Sequence, residues 1–278
     1  MMAPMTADLD AYRARIGHSG APQPTLPTLL ELHRLHTQAI PFENLSPFLG
    51  EAVKLDLESL ESKLVRRRRG GWCFEHNLLF AHVLRAVGFD LRTLAARVLW
   101  NAPANVTPAR SHMLLLVGLD GERYIADVGF GGLTLTAPLR LEAGIEQLTP
   151  HEPHRLRASG EDFVLEARIA GDWLPLYQFD LHEQLQADYE VSNWYLANFP
   201  QSPFVTGLMA ARADADRRHA MRNNRYSIHH RGGDIERRIL GSVGEMREVL
   251  AGALRIALPD SPDLDRRLRQ VIDSNPSA

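Results

Sequence analysis

A two-residue turn signal constrains the fold of this chain more than any other feature. Residues 111–119 and 122–128 are rich in β-forming side chains, and only Asp120-Gly121 separates them. Asp-Gly between such runs favours a tight hairpin turn. Continuing the register outwards from that turn places Leu114 opposite Asp127. A four-residue loop keeps this register, whereas a three-residue loop sends the side chains to opposite faces.

The same register brings a histidine and an aspartate together. His112 lies two residues from Leu114, so it points to the face of Asp127 and lies diagonal to it. Diagonal neighbours are about 7–8 Å apart at the backbone, within reach of these two side chains. We therefore predict a His112–Asp127 pair. Taken alone, such a pair favours the interpretation of a buried hydrogen bond with no catalytic role.

The single cysteine of the chain, Cys73, changes that interpretation. It follows Gly70-Gly71 and begins an apolar helical stretch. The first turn of a helix carries unpaired N–H groups and a partial positive charge, which favour a thiolate. A packing role for a lone cysteine is the competing interpretation. With His112 as base and Asp127 orienting the imidazole, Cys73 fits a catalytic nucleophile.

The periodicity of apolar residues changes along the chain. Helical spacing dominates the first ninety residues, with a capping box formed by Thr28 and Glu31 and a helix that begins near Cys73. β-rich runs follow over residues 91–100, 111–119, 122–128, 163–169 and 173–179, and predict an antiparallel barrel or meander. Beyond about residue 205, polar loops surround one amphipathic helix, which a capping box formed by Ser242 and Glu245 introduces.

Composition narrows the class of protein. The chain has 278 residues and a net charge of −3, so no overall field favours nucleic acid, and its one cysteine cannot form an internal disulfide. Lys54 and Lys63 are the only lysines, and we expect both to be exposed. The arginine run at residues 66–69 is interpreted as the solvated end of a helix. No signal peptide or apolar membrane span is evident, which favours the cytoplasm.

The other histidines offer an alternative base and candidate metal ligands. His76 lies three residues after Cys73 on the same helix, but no acid is placed to orient it, so we interpret it as a surface or supporting residue. Three close pairs lack a third ligand at a recognisable spacing, and we expect them on helix surfaces or in loops: His33/His36, His151/His154 and His229/His230. No metal site is expected.

Four blocks of sequence resemble the arylamine N-acetyltransferase family, in its bacterial type. They are RGGWCFEHN at 69–77, AIPFENL at 39–45, SHML at 111–114 and ADVGFG at 126–131. The resemblance implies an α+β fold with a papain-like Cys-His-Asp core. Its expected regions are an N-terminal helical bundle (1–90) bearing the cysteine, a central antiparallel β-barrel (91–204) bearing the histidine and aspartate, and a C-terminal α/β lid (205–278).

The resemblance also implies a reaction. Cys73, His112 and Asp127 are the implied catalytic triad, and acetyl-CoA is the implied cosubstrate. The acetyl group would pass by a ping-pong route through a cysteine thioester to an arylamine, a hydrazine or an N-hydroxyarylamine, in xenobiotic metabolism. The residues implied along the cofactor path are Val98, Gly129, Phe130 and Gly131. Those implied in the acceptor pocket are Phe130 and Phe204, and ordinary core packing explains Phe204 equally well.

The Glu43 and Arg69 side chains belong to these blocks, and we expect a structural ion pair that braces the cysteine loop.

The alternative enzyme is a papain-like or transglutaminase-like thiol amidase or acyl hydrolase, which shares the triad. A non-catalytic module that binds nucleic acid through residues 66–69 is a second alternative, opposed by the acidic net charge. The natural acceptor, N- against O-acetylation, acyl-donor length, C-terminal CoA contacts and the choice between monomer and homodimer stay open.

Overall fold

A computed structural model describes residues 6–103 and 105–274 of the chain. Helices come first, an eight-stranded sheet follows, and a five-stranded sheet with two further helices completes the described part. This arrangement is the α+β fold that was expected. The α-helices are α1 (Leu9–Ile16), α2 (Leu26–Ala39), α3 (Leu45–Phe48), α4 (Leu57–Leu60), α5 (Cys73–Val87), α6 (Gln186–Asn198), α7 (Pro203–Thr206), α8 (Val243–Ala251) and α9 (Asp263–Ser274).

Both sheets are antiparallel. The strands are β1 (Phe42–Glu43), β2 (Asp90–Val98), β3 (Arg110–Leu119), β4 (Glu122–Ala126), β5 (Leu139–Arg140), β6 (Glu146–Gln147), β7 (His154–Ser159), β8 (Asp162–Ile169), β9 (Asp172–Phe179), β10 (Met209–Ala213), β11 (Arg217–Arg222), β12 (Arg225–His230) and β13 (Ile235–Ile239). The eight-stranded sheet has the order β5-β4-β3-β2-β9-β8-β7-β6, and the other has the order β1-β10-β11-β12-β13. The larger sheet is a nearly closed barrel, because Gln147 on one edge strand hydrogen-bonds the main chain of Arg140 on the other.

The hairpin between β3 and β4 has the predicted register. Leu119 pairs with Glu122 and Leu115 pairs with Ala126. Asp120 and Gly121 both have positive φ, at 51° and 80°, which is the conformation that a two-residue type I′ turn requires. The turn therefore determines which face of the barrel carries the residues that follow the paired part of each strand, Asp127 among them.

The start of α2 differs from the prediction. The helix is capped by Thr25, whose Oγ1 accepts the N–H of Thr28, and not by a box that begins at Thr28. Pro27 explains the earlier start, because proline is tolerated in the first turn of a helix, where its missing N–H would be unpaired anyway. The helix ends at Ala39, just before Ile40-Pro41, because the residue before a proline disfavours the helical conformation.

The segment before the cysteine is also less regular than predicted. The four-residue α4 continues as a π-helical segment, Glu61–Arg66, rather than as one α-helix. Arg66, Arg67 and Arg68 are exposed, but Arg69 is buried, so the expectation of a solvated arginine run is wrong at its last residue. Lys63 is buried as well, which corrects the expectation that both lysines are exposed.

The residue pattern did not predict the individual C-terminal strands, although the family resemblance implied an α/β region there. The β10–β13 strands are rich in arginine, and their alternation of apolar and polar residues is weak. Strand β1 comes from the helical first part of the chain and pairs with β10, with Phe42 opposite Ala211. No helix in the described ranges combines the length and apolar character that crossing a membrane requires.

Candidate active site

The main chain of residues 41–43, called the strap here, holds the turn at residues 70–72 that leads into α5 and Cys73. The N–H of Glu43 donates to the carbonyl of Gly71 at 2.8 Å, and the N–H of Gly71 donates to the carbonyl of Pro41 at 3.3 Å. Only glycine fits at position 70, because a Cβ there would lie 2.1 Å from the Pro41 oxygen. Cys73 is the first residue of the helix and is buried.

Two buried ion pairs flank this turn. Glu43 pairs with Arg69 at 2.8 Å, as expected, and Lys63 pairs with Glu75 at 2.7 Å. Glu75 also accepts the N–H of Trp72 at 3.1 Å, so it caps the start of α5. Burial raises the pKa of Glu75. Burial also acts to raise the pKa of Glu43, but the charges of Lys63 and Arg69 outweigh it and lower the value to about 2.

His112 and Asp127 form the predicted pair. His112 Nε2 lies 2.7 Å from Asp127 Oδ2, and both side chains are buried. The Cys73 thiol donates to the carbonyl oxygen of Ser111 at 3.7 Å, directly before His112, and Cys73 is one of the groups that raise the pKa of His112. Burial acts to lower the pKa of His112, but Asp127 and Cys73 outweigh it and raise the value to about 10. The imidazole is therefore a stable cation at neutral pH.

Asp127 uses both of its carboxylate oxygens. Oδ2 bonds His112, while Oδ1 accepts from Asn77 Nδ2 and from the N–H of Gly129, each at 2.9 Å. Asn77 also donates to the carbonyl of Met113 at 2.7 Å. Burial acts to raise the pKa of Asp127, but the charge of His112 and these hydrogen bonds lower it overall. The carboxylate is thus held ionised and in one orientation.

Two residues of this site were not identified from the sequence. Asn77 lies four residues after Cys73, on the same face of α5, and this spacing could have revealed it. Tyr177 gave no local signal, although its ring centroid lies 4.9 Å from that of His112. Burial and the charge of Asp127 raise the pKa of Tyr177 well above its ordinary value. Tyr177 therefore stays neutral beside His112 and Asp127.

Of the residues expected to bind ligands, Gly129 and Phe130 lie directly at this cluster. A Cβ at Gly129 would be 2.8 Å from Cys73 Cα, so the two main chains are in contact. The half-buried ring of Phe130 lies 5.1 Å from His112 and 5.2 Å from Tyr177. These contacts place one aromatic wall beside the imidazole.

The other expected ligand-binding residues lie one step further away. Val98 is half-buried at the end of β2 and pairs with Tyr177. Gly131 has φ +86°, and a Cβ there would lie 3.6 Å from the ring of Phe42. The ring of Phe204 lies 5.0 Å from that of Trp72 and is half-buried. Their roles in ligand binding stay predictions.

The remaining histidines differ from expectation in their burial. His76 is fully buried, and its ring bonds His36 and the carbonyl of Pro41 instead of facing solvent or the thiol. His33 and His36 are also fully buried, so they do not lie on a helix surface, and His154 is buried in β7 rather than in a loop. Within the described ranges, no group of three or more histidine, cysteine or acidic residues could hold a metal ion.

Comparison with known proteins shows the family to which the chain belongs. A family model described as N-acetyltransferase matches residues 25–262, and the arylamine N-acetyltransferase of Mycolicibacterium smegmatis is 42% identical over 97% of this chain and all of that protein. The chain belongs to the arylamine N-acetyltransferase family. It is therefore an acetyltransferase, and the expected acetyl-CoA cosubstrate agrees with that family.

Two further relatives of the chain carry more specific names. A Salmonella typhimurium protein named arylamine N-acetyltransferase / N-hydroxyarylamine O-acetyltransferase is 41% identical over 92% of this chain and 91% of that protein. The structure of Mycobacterium marinum arylamine N-acetyltransferase in complex with CoA has a TM-score of 0.91 and 42% identity. The match covers 95% of this chain and 99% of the Mycobacterium marinum chain.

Proposed function

We propose that Cys73 carries the acetyl group as a thioester between acetyl-CoA and an aromatic amine, hydrazine or N-hydroxyarylamine. One observation carries this proposal: a buried thiol at a helix start interacts electrostatically with an imidazole, which a buried carboxylate holds at 2.7 Å. A thiol, a base and an orienting acid are the parts that a cysteine nucleophile requires. The matching family supports acetyl as the group transferred.

In the first half of the reaction, Cys73 acts as a thiolate, because its proton has passed to His112 and makes the imidazole the cation described above. Because Asp127 occupies Nε2, the nitrogen that receives the proton is Nδ1. The thiolate attacks the acetyl carbonyl carbon of acetyl-CoA, the bond to the CoA sulfur breaks, and CoA leaves as a thiol with the proton from His112. One thioester replaces another, so this step is nearly balanced in energy.

In the second half, the amine nitrogen attacks the acetyl carbon on Cys73. His112 removes a proton from the amine, and the cysteine leaves as a thiolate. The burial of Cys73 favours transfer over hydrolysis, because water competes poorly for a thioester in a closed site. The rings of Phe130 and Phe204, near His112 and Trp72 respectively, support an aromatic acceptor. The name of the Salmonella relative supports including N-hydroxyarylamines.

The test separates the two halves. The protein is incubated with acetyl-CoA alone, and the Cys73 peptide is examined by mass spectrometry for one added acetyl group. A panel of anilines, hydrazides and N-hydroxyarylamines is then added and the release of CoA thiol is followed, with Cys73→Ala as control. Acetylated Cys73 that an amine discharges supports the proposal. Cleavage of amides or peptides without CoA release would instead support the thiol amidase alternative.

A further inference from the structure

Helix α2 carries two buried imidazoles beneath the candidate active site. His33 and His36 lie three residues apart, on one face of the helix, and neither is exposed. His33 Nε2 accepts the N–H of Asp127 at 3.3 Å, and His36 Nε2 lies 2.9 Å from Nδ1 of His76 on α5. One helix therefore contacts both the segment that bears the acid and the helix that bears the thiol.

The contacts of His36 belong to a hydrogen-bonded chain whose directions are fixed. The chain ends at the carbonyl of Pro41, which can only accept, so His76 Nε2 donates at 3.1 Å. The Nδ1 atom of a neutral His76 must then accept from His36 Nε2, and His36 Nδ1 must accept from the hydroxyl of Tyr12 at 2.8 Å. Burial lowers the pKa of both histidines, to about 4 for His76, which keeps them neutral.

This chain ends on the strap that holds the cysteine turn. The carbonyl of Pro41 also accepts the N–H of Gly71, two residues before Cys73. A carbonyl cannot carry a proton onwards, so the chain does not deliver protons to the thiol. What it supplies is a fixed distance between α2 and the turn.

The contact of His33 with Asp127 has a cost. Because Nε2 accepts a hydrogen bond, the proton of the neutral ring lies on Nδ1, and that buried N–H has no hydrogen-bond partner among the described residues. A leucine would fill the space without this unpaired donor. Leucine would provide no acceptor for the N–H of Asp127. Asp127 is also the residue whose carboxylate holds His112.

We propose that His33 and His36 are positioning residues for the acetyl transfer. His33 fixes the main chain of Asp127, and His36 fixes the turn before Cys73 through His76, so one rigid helix sets the separation of the thiol and its triad acid. The inference rests on the proposed function, because it requires Cys73 and Asp127 to act together. Its test therefore includes a reaction that needs neither acetyl-CoA nor an amine.

That reaction is alkylation of Cys73 by iodoacetamide below the pH at which a free thiol ionises, where reactivity requires the thiolate. In His33→Leu, we expect alkylation and acetylation of Cys73 each to slow about tenfold, with the KM for acetyl-CoA within about twofold of wild type. In His33→Gln, whose amide oxygen can accept the same hydrogen bond, both rates return to within about threefold of wild type. His76→Leu breaks the second connection, and we expect it to slow both reactions by a similar factor.

The matched control is His82→Leu, at a half-buried position on the same helix as His76, and we expect wild-type rates. If His33→Leu does not fold, His33→Asn replaces it, because the shorter amide does not reach the N–H of Asp127. A lower melting temperature with unchanged alkylation in both the His33 and His76 variants would overturn the inference. So would a His33→Gln variant as slow as His33→Leu. By contrast, wild-type protein that alkylates readily but never transfers acetyl would refute the proposed function alone.

Discussion

The contact between Gly129 and Cys73 gives the sharpest quantitative prediction. A methyl group added at Gly129 would lie 2.8 Å from Cys73 Cα and 3.1 Å from both the Cys73 carbonyl oxygen and Asn77 Nδ2. Non-bonded carbon atoms make their best contact at about 3.5–4.0 Å. Because the nearest atom, Cys73 Cα, belongs to the backbone, the clash cannot be relieved by rotating a side chain. One segment must therefore move by about 1 Å.

That displacement falls on Cys73, the proposed nucleophile. A misplacement of about 1 Å costs about 100-fold in rate, and overpacking a core costs about 1–3 kcal/mol. We expect Gly129→Ala to acetylate Cys73 about 100-fold more slowly and to lose about 1–3 kcal/mol in the free energy of unfolding. Stopped-flow detection of CoA thiol release measures the first quantity, and urea unfolding measures the second.

The control for this prediction lies three residues further along the same loop. A methyl group at Gly132 would meet only the Cβ of Ala220, at 3.9 Å, which is an ordinary contact. Gly132→Ala should therefore keep the wild-type rate and stability. The reasoning would be refuted by a Gly129→Ala variant that acetylates at the wild-type rate, or by equal losses in the two variants.

Three further predictions follow from the buried charges and imidazoles. Asp127→Asn should lower kcat about 10³- to 10⁴-fold, because the amide no longer stabilises the His112 cation; thiol release measures this, and a loss under tenfold would contradict it. Glu43→Gln or Arg69→Gln should each lower the free energy of unfolding, measured with urea, by about 3–5 kcal/mol. A double-mutant cycle that shows no coupling between the two residues would argue against the ion pair. The pKa values of His33, His76 and His154 are lowered to about 4 by burial, so the unfolded chain binds more protons below about pH 6.5. The free energy of unfolding should then fall from about pH 6.5 to 4 by about 1.4 kcal/mol per pH unit for each histidine, whereas a flat profile would contradict their burial as neutral rings.

The parts that were predictable from the sequence depend on local rules. The Asp120-Gly121 turn and the two-residue period of a strand are sufficient to bring His112 to Asp127, because neither depends on the rest of the molecule. Burial is different, since it depends on what packs over a residue. Spacing within α2 cannot tell that α1 and α5 enclose His36, and a charged sequence around Lys63 gives no sign that Glu75 meets it in the interior.

Pairing between segments that are distant in the sequence was the other feature that could not be predicted. Two residues, Phe42 and Glu43, are too few to show a strand period, and they become a strand only because β10 lies beside them. The arginines of β11 hid a strand for another reason: their long side chains reach partners elsewhere, as Arg218 reaches Glu152. Tyr177 likewise becomes part of the site only through the barrel, which brings β9 next to β2.

Strand β1 also determines when the thiol site can be completed. Asn44, directly after β1, hydrogen-bonds Met209 across a separation of 165 residues. At a synthesis rate of about 5–20 residues per second, the second partner is made about 8 to 33 s after the first. During that interval the segment that braces the cysteine turn has no neighbouring strand. The nascent chain therefore leaves the turn before Cys73 without this brace until residue 209 of its 278 residues, about three quarters of the chain, has been translated.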